Sequence, residues 1–194
     1  ALEAVLAGIV SLACAALVLK LWRADLALPW RSAPVDDTKF YLMLVKGIAE
    51  HGSYLSNSHL GAPFGQQLSD YPQGADNLNL AIVRFLALFT TNAALIVNLF
   101  FLLTFALVSF VAHLVLRSLG LSVIAAGVAA VLYSLPAYHF FRGESHLLLS
   151  AYYAVPSSAS LFLALPGETA LFSLLSCARP RRLALASRTA LGAL

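Results

Sequence analysis

An all-α, polytopic bundle of transmembrane helices with a large external loop is the fold class this sequence predicts. Two observations predict it. The chain is 60% hydrophobic and 11% charged, whereas soluble domains carry about 25% charged residues. Residues 85–141 then hold a single charged side chain, Arg117. A soluble globular domain does not fit that composition. The formal net charge of +3 does not point to nucleic acid, because the basic residues are scattered and not clustered on one face. It reads as topology and contact with lipid headgroups.

A membrane-spanning helix needs about 20 apolar residues, since a bilayer core is about 30 Å thick and each residue rises about 1.5 Å. The first such segment is residues 5–22, with Trp22 at an interface. The second, residues 93–116, is long enough to span with tilt. The third, residues 122–135, is short and rich in Ala and Gly, which let membrane helices approach closely. Pro136 ends it. The fourth, residues 146–165, contains Pro156, which a membrane helix tolerates as a kink. A fifth apolar stretch, residues 169–178, is too short to span. The whole of 1–194 reads as one transmembrane domain.

The external loop, residues 23–92, holds most of the charge. Two helices are expected in it. The first, residues 36–51, puts Asp36, Lys39, Lys46 and Glu50 on one face, with Phe40, Leu44, Val45 and Ile48 on others, and Gly52 ends it. That pattern suits a helix lying on the membrane surface. The second, residues 76–89, is too short to span and is mostly apolar apart from Asn77 and Arg84. The stretch between them, "HLGAPFGQQLSDYPQGAD", is punctuated by Gly and Pro as a loop.

Positive-inside counting places Arg117 and the tail (Arg179, Arg181, Arg182, Arg188) in the cytoplasm and the large loop outside. Lys20 and Arg23 oppose that orientation. Cys14 and Cys177 make no metal spacing or disulfide framework and read as apolar fillers. The chain begins without Met, its one Met is Met43, and it ends in "ASRTALGAL". That reads as part of a longer polypeptide or as a processed one, and segment one is too long for a cleaved signal peptide and lacks a small-residue cleavage site.

Two polar islands stand out. "PVDDTKFY" places Asp36 and Asp37 at the start of the first surface helix. One acidic residue there serves as a helix cap and complements the helix dipole, so the pair reads either as a cap or as a catalytic carboxylate. "YHFFRGESH" holds His139, Arg142, Glu144 and His146 between the third and fourth segments. An even number of crossings puts it on the same side as the acidic pair. Ionisable residues at the ends of membrane helices are functional candidates. The fork of Arg142 suits a phosphate. Glu144 suits a metal ligand or an acid/base partner. The bland alternative is a solvated loop with Arg142 paired to Glu144. His139 and His146 match no zinc spacing. On segment two, Asn98, Ser109 and His113 fall within about 60° on a wheel of about 100° per residue, facing the bundle interior as bonds between helices.

Together these residues resemble the C-type-fold membrane glycosyltransferases that use polyprenyl-phosphate sugars. "LGAPFGQQLSDYPQGADNLN", "NLFFLLTFAL" and "YHFFRGESHLLLSAYYAVP" are similar to an uncharacterised bacterial group assigned to that superfamily. The resemblance covers about residues 5–156 and fades beyond. It implies an integral protein of the bacterial plasma membrane, with its site facing outward and serving the cell envelope. The donor would be a sugar on a polyprenyl phosphate, and the acceptor a hydroxyl. A carboxylate of Asp36 or Asp37 would take the acceptor proton. Arg142 would stabilise the leaving phosphate, with His139, His146 and Arg84 around the substrate. Relatives differ in their need for a divalent cation, for which Asp36 and Glu144 would be ligands. Such proteins carry more spans than four, so an inactive fragment is one alternative. A non-enzymatic lipid-carrier transporter or assembly subunit is the other.

Overall fold

The computed structural model describes residues 1–29, 37–53, 55–59, 61–68 and 76–164, leaving aside the side chains of 144, 145 and 162–164. Asp36, Cys177, the stretch 169–178 and the basic tail therefore lie outside the described residues. The chain divides into two units, Ala1–Pro156 and Ser157–Leu194. The site and its supports belong to the first.

The described residues are mostly helical. Helix α1 is Leu2–Val18 and is followed by a 3-10 turn, Leu21–Arg23. Helix α2, Thr38–His51, ends at Gly52 in the left-handed conformation. A two-residue antiparallel ladder follows, β1 Ser56–Asn57 with β2 Gln66–Gln67, in the register Ser56 to Gln67. The sequence led us to expect only loop there. Helix α3 is Asn77–Leu86 and α4 is Ala93–Ser118. Asn92 caps α4 by accepting the Leu95 amide at 3.0 Å, and Ser122 caps α5, Val123–Ser134, through the Ala125 amide. Short helix α6, Ala137–Arg142, continues through a 3-10 turn, Gly143–His146, into α7, Leu147–Ser150. Helix α8, Ala154–Ala164, begins in the first unit and ends in the second.

Two runs are long and apolar enough to cross a membrane: Ala93–Ser118, and Val123–Arg142 across Pro136. Pro136 thus separates α5 from α6 but does not end the apolar run. Segment four is not one helix. The chain breaks at Ala151–Tyr153, because the Tyr152 hydroxyl donates to the Tyr133 carbonyl and the Tyr153 hydroxyl to Asn79. Pro156 sits in the first turn of α8, where its missing N–H has no helical partner to lose.

Helix α4 is the hub, with α1 and α5 along it and α2, α3 and α7 against it. Phe100, Phe101 and Phe105 are fully or almost fully buried, together with Leu44, Ile48, Val83 and Leu147. The faces of α1 and α5 run opposite to those of a soluble protein. Helix α1 buries Ala4, Ala7, Gly8, Ser11 and Ala15, while Leu6, Ile9 and Val10 are half exposed or more. Helix α5 buries Ala126, Ala130 and Ser134 and exposes Ile124, Val128 and Leu132. Small residues inside give close approach: a Cβ on Gly8 would lie 3.0 Å from the Ala106 carbonyl oxygen. Side-chain hydroxyls tie the helices together. Ser11 lies 2.6 Å from Ser134 and donates to the Phe105 carbonyl, and Ser109 donates to the Ala7 carbonyl. Asn98 donates to the carbonyls of Leu26 and Leu28, so it holds the chain leaving α1.

Candidate functional site

Asp37 occupies the N-cap position of α2, yet its carboxylate accepts no hydrogen bond from the helix. Only its carbonyl takes part, accepting the Tyr41 amide at 3.0 Å. The carboxylate points instead to the other polar island. Oδ2 of Asp37 lies 3.5 Å from Nδ1 of His146, at the end of the 3-10 turn. Both side chains are accessible, Asp37 at 62% and His146 at 39%. The gap exceeds a hydrogen bond of about 3 Å but is an ion-pair distance, which a small side-chain movement or a shared hydroxyl can close. The turn reaches α2 because Gly143, at φ +48°, redirects the chain after α6. Helix α2 packs against that turn.

The other expected site residues part company. His139 is fully buried among α4, α5 and the turn after α7. Its Nδ1 lies 2.8 Å from the Ser134 carbonyl oxygen and its Nε2 2.8 Å from Thr104 Oγ1, and its ring stacks on Phe105 at 3.8 Å. A neutral ring donates from Nδ1 to the Ser134 carbonyl, and the Thr104 hydroxyl is shared between His139 Nε2 and the Phe101 carbonyl. His139 therefore serves helix packing, with no exposed surface among the described residues. Arg142 places its guanidinium 5.1 Å from the centre of the Tyr138 ring, one turn before the 3-10 segment. Arg84 lies at the far end of α2, where it donates to the Ile48 carbonyl at 3.4 Å. Eleven residues of helix, about 16 Å, separate that carbonyl from Asp37. Arg84 is a support of the α2 terminus, removed from the acidic pair. The two metal-ligand candidates, Asp36 and the Glu144 side chain, lie outside the described residues. Among the described residues no group of three or more His, Cys, Asp or Glu is placed to hold a metal ion.

A groove of about 600 Å³ runs along α2 on the side of Lys39 and Lys46, up to Ala93 at the start of α4. Glu50, His51, Asn57 and His59 line its far part. His51 and His59 stack with ring centres 5.0 Å apart, and Lys46 pairs with Glu50 at 3.8 Å. Such a groove offers several hydrogen-bond donors and two ammonium groups to a phosphate or a sugar. The charged face of α2 was visible in the sequence. The place of His59 was not, since the β1–β2 ladder brings it back to His51. On α3, Asn79 accepts from the Tyr153 hydroxyl at 2.6 Å, and burial, with Asp76 adding to it, pushes that hydroxyl above the usual phenol range.

Comparison with family models, curated proteins and solved structures gives no match. The chemistry of the site has to be read from its own residues.

Proposed function

We propose that the chain is a membrane glycosyltransferase, moving a sugar from a polyprenyl-phosphate donor to an acceptor hydroxyl at the outer face. The observation that carries this reading is the meeting of Asp37 with His146. Two polar islands more than 100 residues apart in sequence converge, and the Asp37 carboxylate is not used as a cap. The inverted apolar faces of α1 and α5 and the two long apolar runs support a membrane setting.

In the reaction, the Asp37 carboxylate takes the proton of the acceptor hydroxyl. The freed oxygen forms a bond to the anomeric carbon. The bond from that carbon to the phosphate oxygen breaks, and the lipid phosphate leaves with the electron pair. His146 orients the Asp37 carboxylate. Lys39 and Lys46 line the groove on another face of α2, and Arg142 lies one turn before the 3-10 segment that carries His146; these are the cations that can meet the phosphate charge. Asp36, next to Asp37 in the chain, matches the first acidic position of the family pattern, and the resemblance allows either of the two as the base.

The test is sugar transfer from polyprenyl-phosphate sugars in membranes, comparing wild type with Asp36→Asn and Asp37→Asn at matched expression. Asn is nearly isosteric with Asp, and the exposed Asp37 carboxylate makes no hydrogen bond to the helix, so folding should be kept. Loss of the general base should lower transfer by about 10²–10⁴-fold. Full transfer in both variants would remove the pair from the chemistry and overturn the reading of Asp37 as the base. No transfer by wild type across several sugars would favour the non-enzymatic transporter or assembly subunit.

A further inference from the structure

A second site lies at the other end of α4. An apolar groove of about 420 Å³ runs between α1 and α5 and is walled by Leu6, Val10, Ile124, Val128 and Leu132. Its size falls within the range of small-ligand pockets, about 300–1,000 Å³. At its floor is His113, 2% exposed, with neither ring nitrogen hydrogen-bonded. A Cβ placed on Gly127 of α5 would lie 4.0 Å from His113 Nδ1, so that nitrogen faces the groove. A buried imidazole in apolar walls costs free energy unless a partner reaches it. Two opposite charges stand beside it. Glu3 Oε2 lies 3.7 Å from His113 Nε2 and 3.6 Å from Arg117 Nε.

We propose that this groove binds a zwitterionic phospholipid with a primary ammonium headgroup, one acyl chain lying between α1 and α5. The charge pattern selects the headgroup. Arg117 stands at the groove's end, with Nη1 donating to the Leu121 carbonyl and Nε facing Glu3, and meets the phosphate through Nη2. Glu3 accepts from the ammonium. The His113 nitrogen facing the groove meets a glycerol ester oxygen if it donates and the ammonium if it accepts, so either tautomer is satisfied. Phosphatidylglycerol carries the same phosphate but no cation to neutralise Glu3, and a quaternary ammonium has no N–H to offer it. The acyl chain covers the exposed Leu6, Val10, Ile124 and Val128 side chains. The inference rests on the membrane reading of the fold and is independent of the Asp37 chemistry.

The chain, extracted in detergent and incubated with phosphatidylethanolamine, phosphatidylcholine or phosphatidylglycerol vesicles, is passed through gel filtration and weighed by native mass spectrometry. Wild type should hold one phosphatidylethanolamine per chain in preference to the other two. Gly127→Leu fills the groove from a helical position with open space beside it and raises helix propensity, so it should fold. It should lower lipid retention by at least about tenfold, with unchanged circular dichroism and unchanged sugar transfer. His113→Phe should also lose the headgroup preference. Equal retention of all three lipids overturns the proposal, as does full retention by Gly127→Leu. A Gly127→Leu variant that dissociates a dimer assigns the groove to a second copy and overturns it too. A detergent-extracted wild type holding no lipid overturns this inference alone, whereas recovery of the chain in the soluble fraction removes the membrane reading with it.

Discussion

At Asp37 the backbone and the side chain of one residue do separate work. The carbonyl starts α2 by accepting the Tyr41 amide, while the carboxylate faces His146. His146 and His139 lie seven residues apart and would share a face of a continuous helix. They do not, because α6 stops at Arg142 and Gly143 turns the chain. One imidazole reaches the acidic island and the other enters the core. Substitution should therefore separate them. His146→Gln removes an exposed pair worth about 0–1 kcal/mol to stability, so the melting temperature should hardly move. Transfer should fall by about 10–100-fold, the equivalent of one hydrogen bond to a charged group. His139→Leu strips the Ser134 carbonyl of its partner and leaves Thr104 only the Phe101 carbonyl, and should cost about 1–3 kcal/mol of stability. The residual folded protein should keep its transfer rate per molecule. Thermal unfolding in detergent and transfer assays on the same preparations check both arms. A His146→Gln protein that melts early and transfers normally would make the pair structural.

At the scale of elements, the end of α2 is a joint as well as a stop. Gly52 has φ +77°, and a Cβ there would run into the Arg84 guanidinium. Gly52→Ala should destabilise the fold by about 1–2 kcal/mol from the backbone conformation alone, with the clash adding to it. Replacing Arg84 by Ala in the Gly52→Ala background should recover the steric part and leave the backbone part, a difference that melting temperatures of the three variants can read. Half of this joint was legible in the sequence. A glycine after an amphipathic run marks a helix end, but nothing local placed Arg84 against it, 32 residues on. The same divide holds elsewhere. Helix α4 came out nearly as the hydropathy pattern had it, because length and apolar content decide it locally, and Asn98, Ser109 and His113 are indeed buried. The expected 146–165 segment did not survive as one helix, because Tyr152 and Tyr153 are held by partners on other elements. Sequence alone groups His139 with the site, because a polar residue near a helix end looks exposed in one dimension. Its burial depends on Thr104 and Phe105, which only the fold supplies.

For the whole molecule, the distribution of charge along α4 sets a thickness. The α2 groove reaches Ala93 at one end of α4, and the Glu3–His113–Arg117 cluster lies towards the other. The 20 residues from Ala93 to His113 rise about 30 Å, the depth of a bilayer core. Over that length α1 and α5 show large apolar side chains outward and small ones inward. In water this would leave a broad apolar patch of the kind soluble monomers avoid, whereas in lipid no hydrophobic force opposes it and small residues improve packing. The consequence is directional. With α4 crossing once, the β1–β2 ladder and Leu119, just past the end of α4, face opposite sides. Single cysteines at Ser58 and Leu119, both exposed, report this in a background with Cys14 and Cys177 changed to Ala. In intact cells a membrane-impermeant thiol reagent should label Ser58→Cys and spare Leu119→Cys, and both should react once the membrane is opened. That result would put Asp37, His146 and the α2 groove outside, where a lipid-linked donor and an external acceptor can meet. Labelling of Leu119→Cys alone would keep the crossing and turn the site inward, towards cytoplasmic acceptors. Equal labelling of both in intact cells would mean that α4 does not cross, and its apolar length would then belong to a core helix.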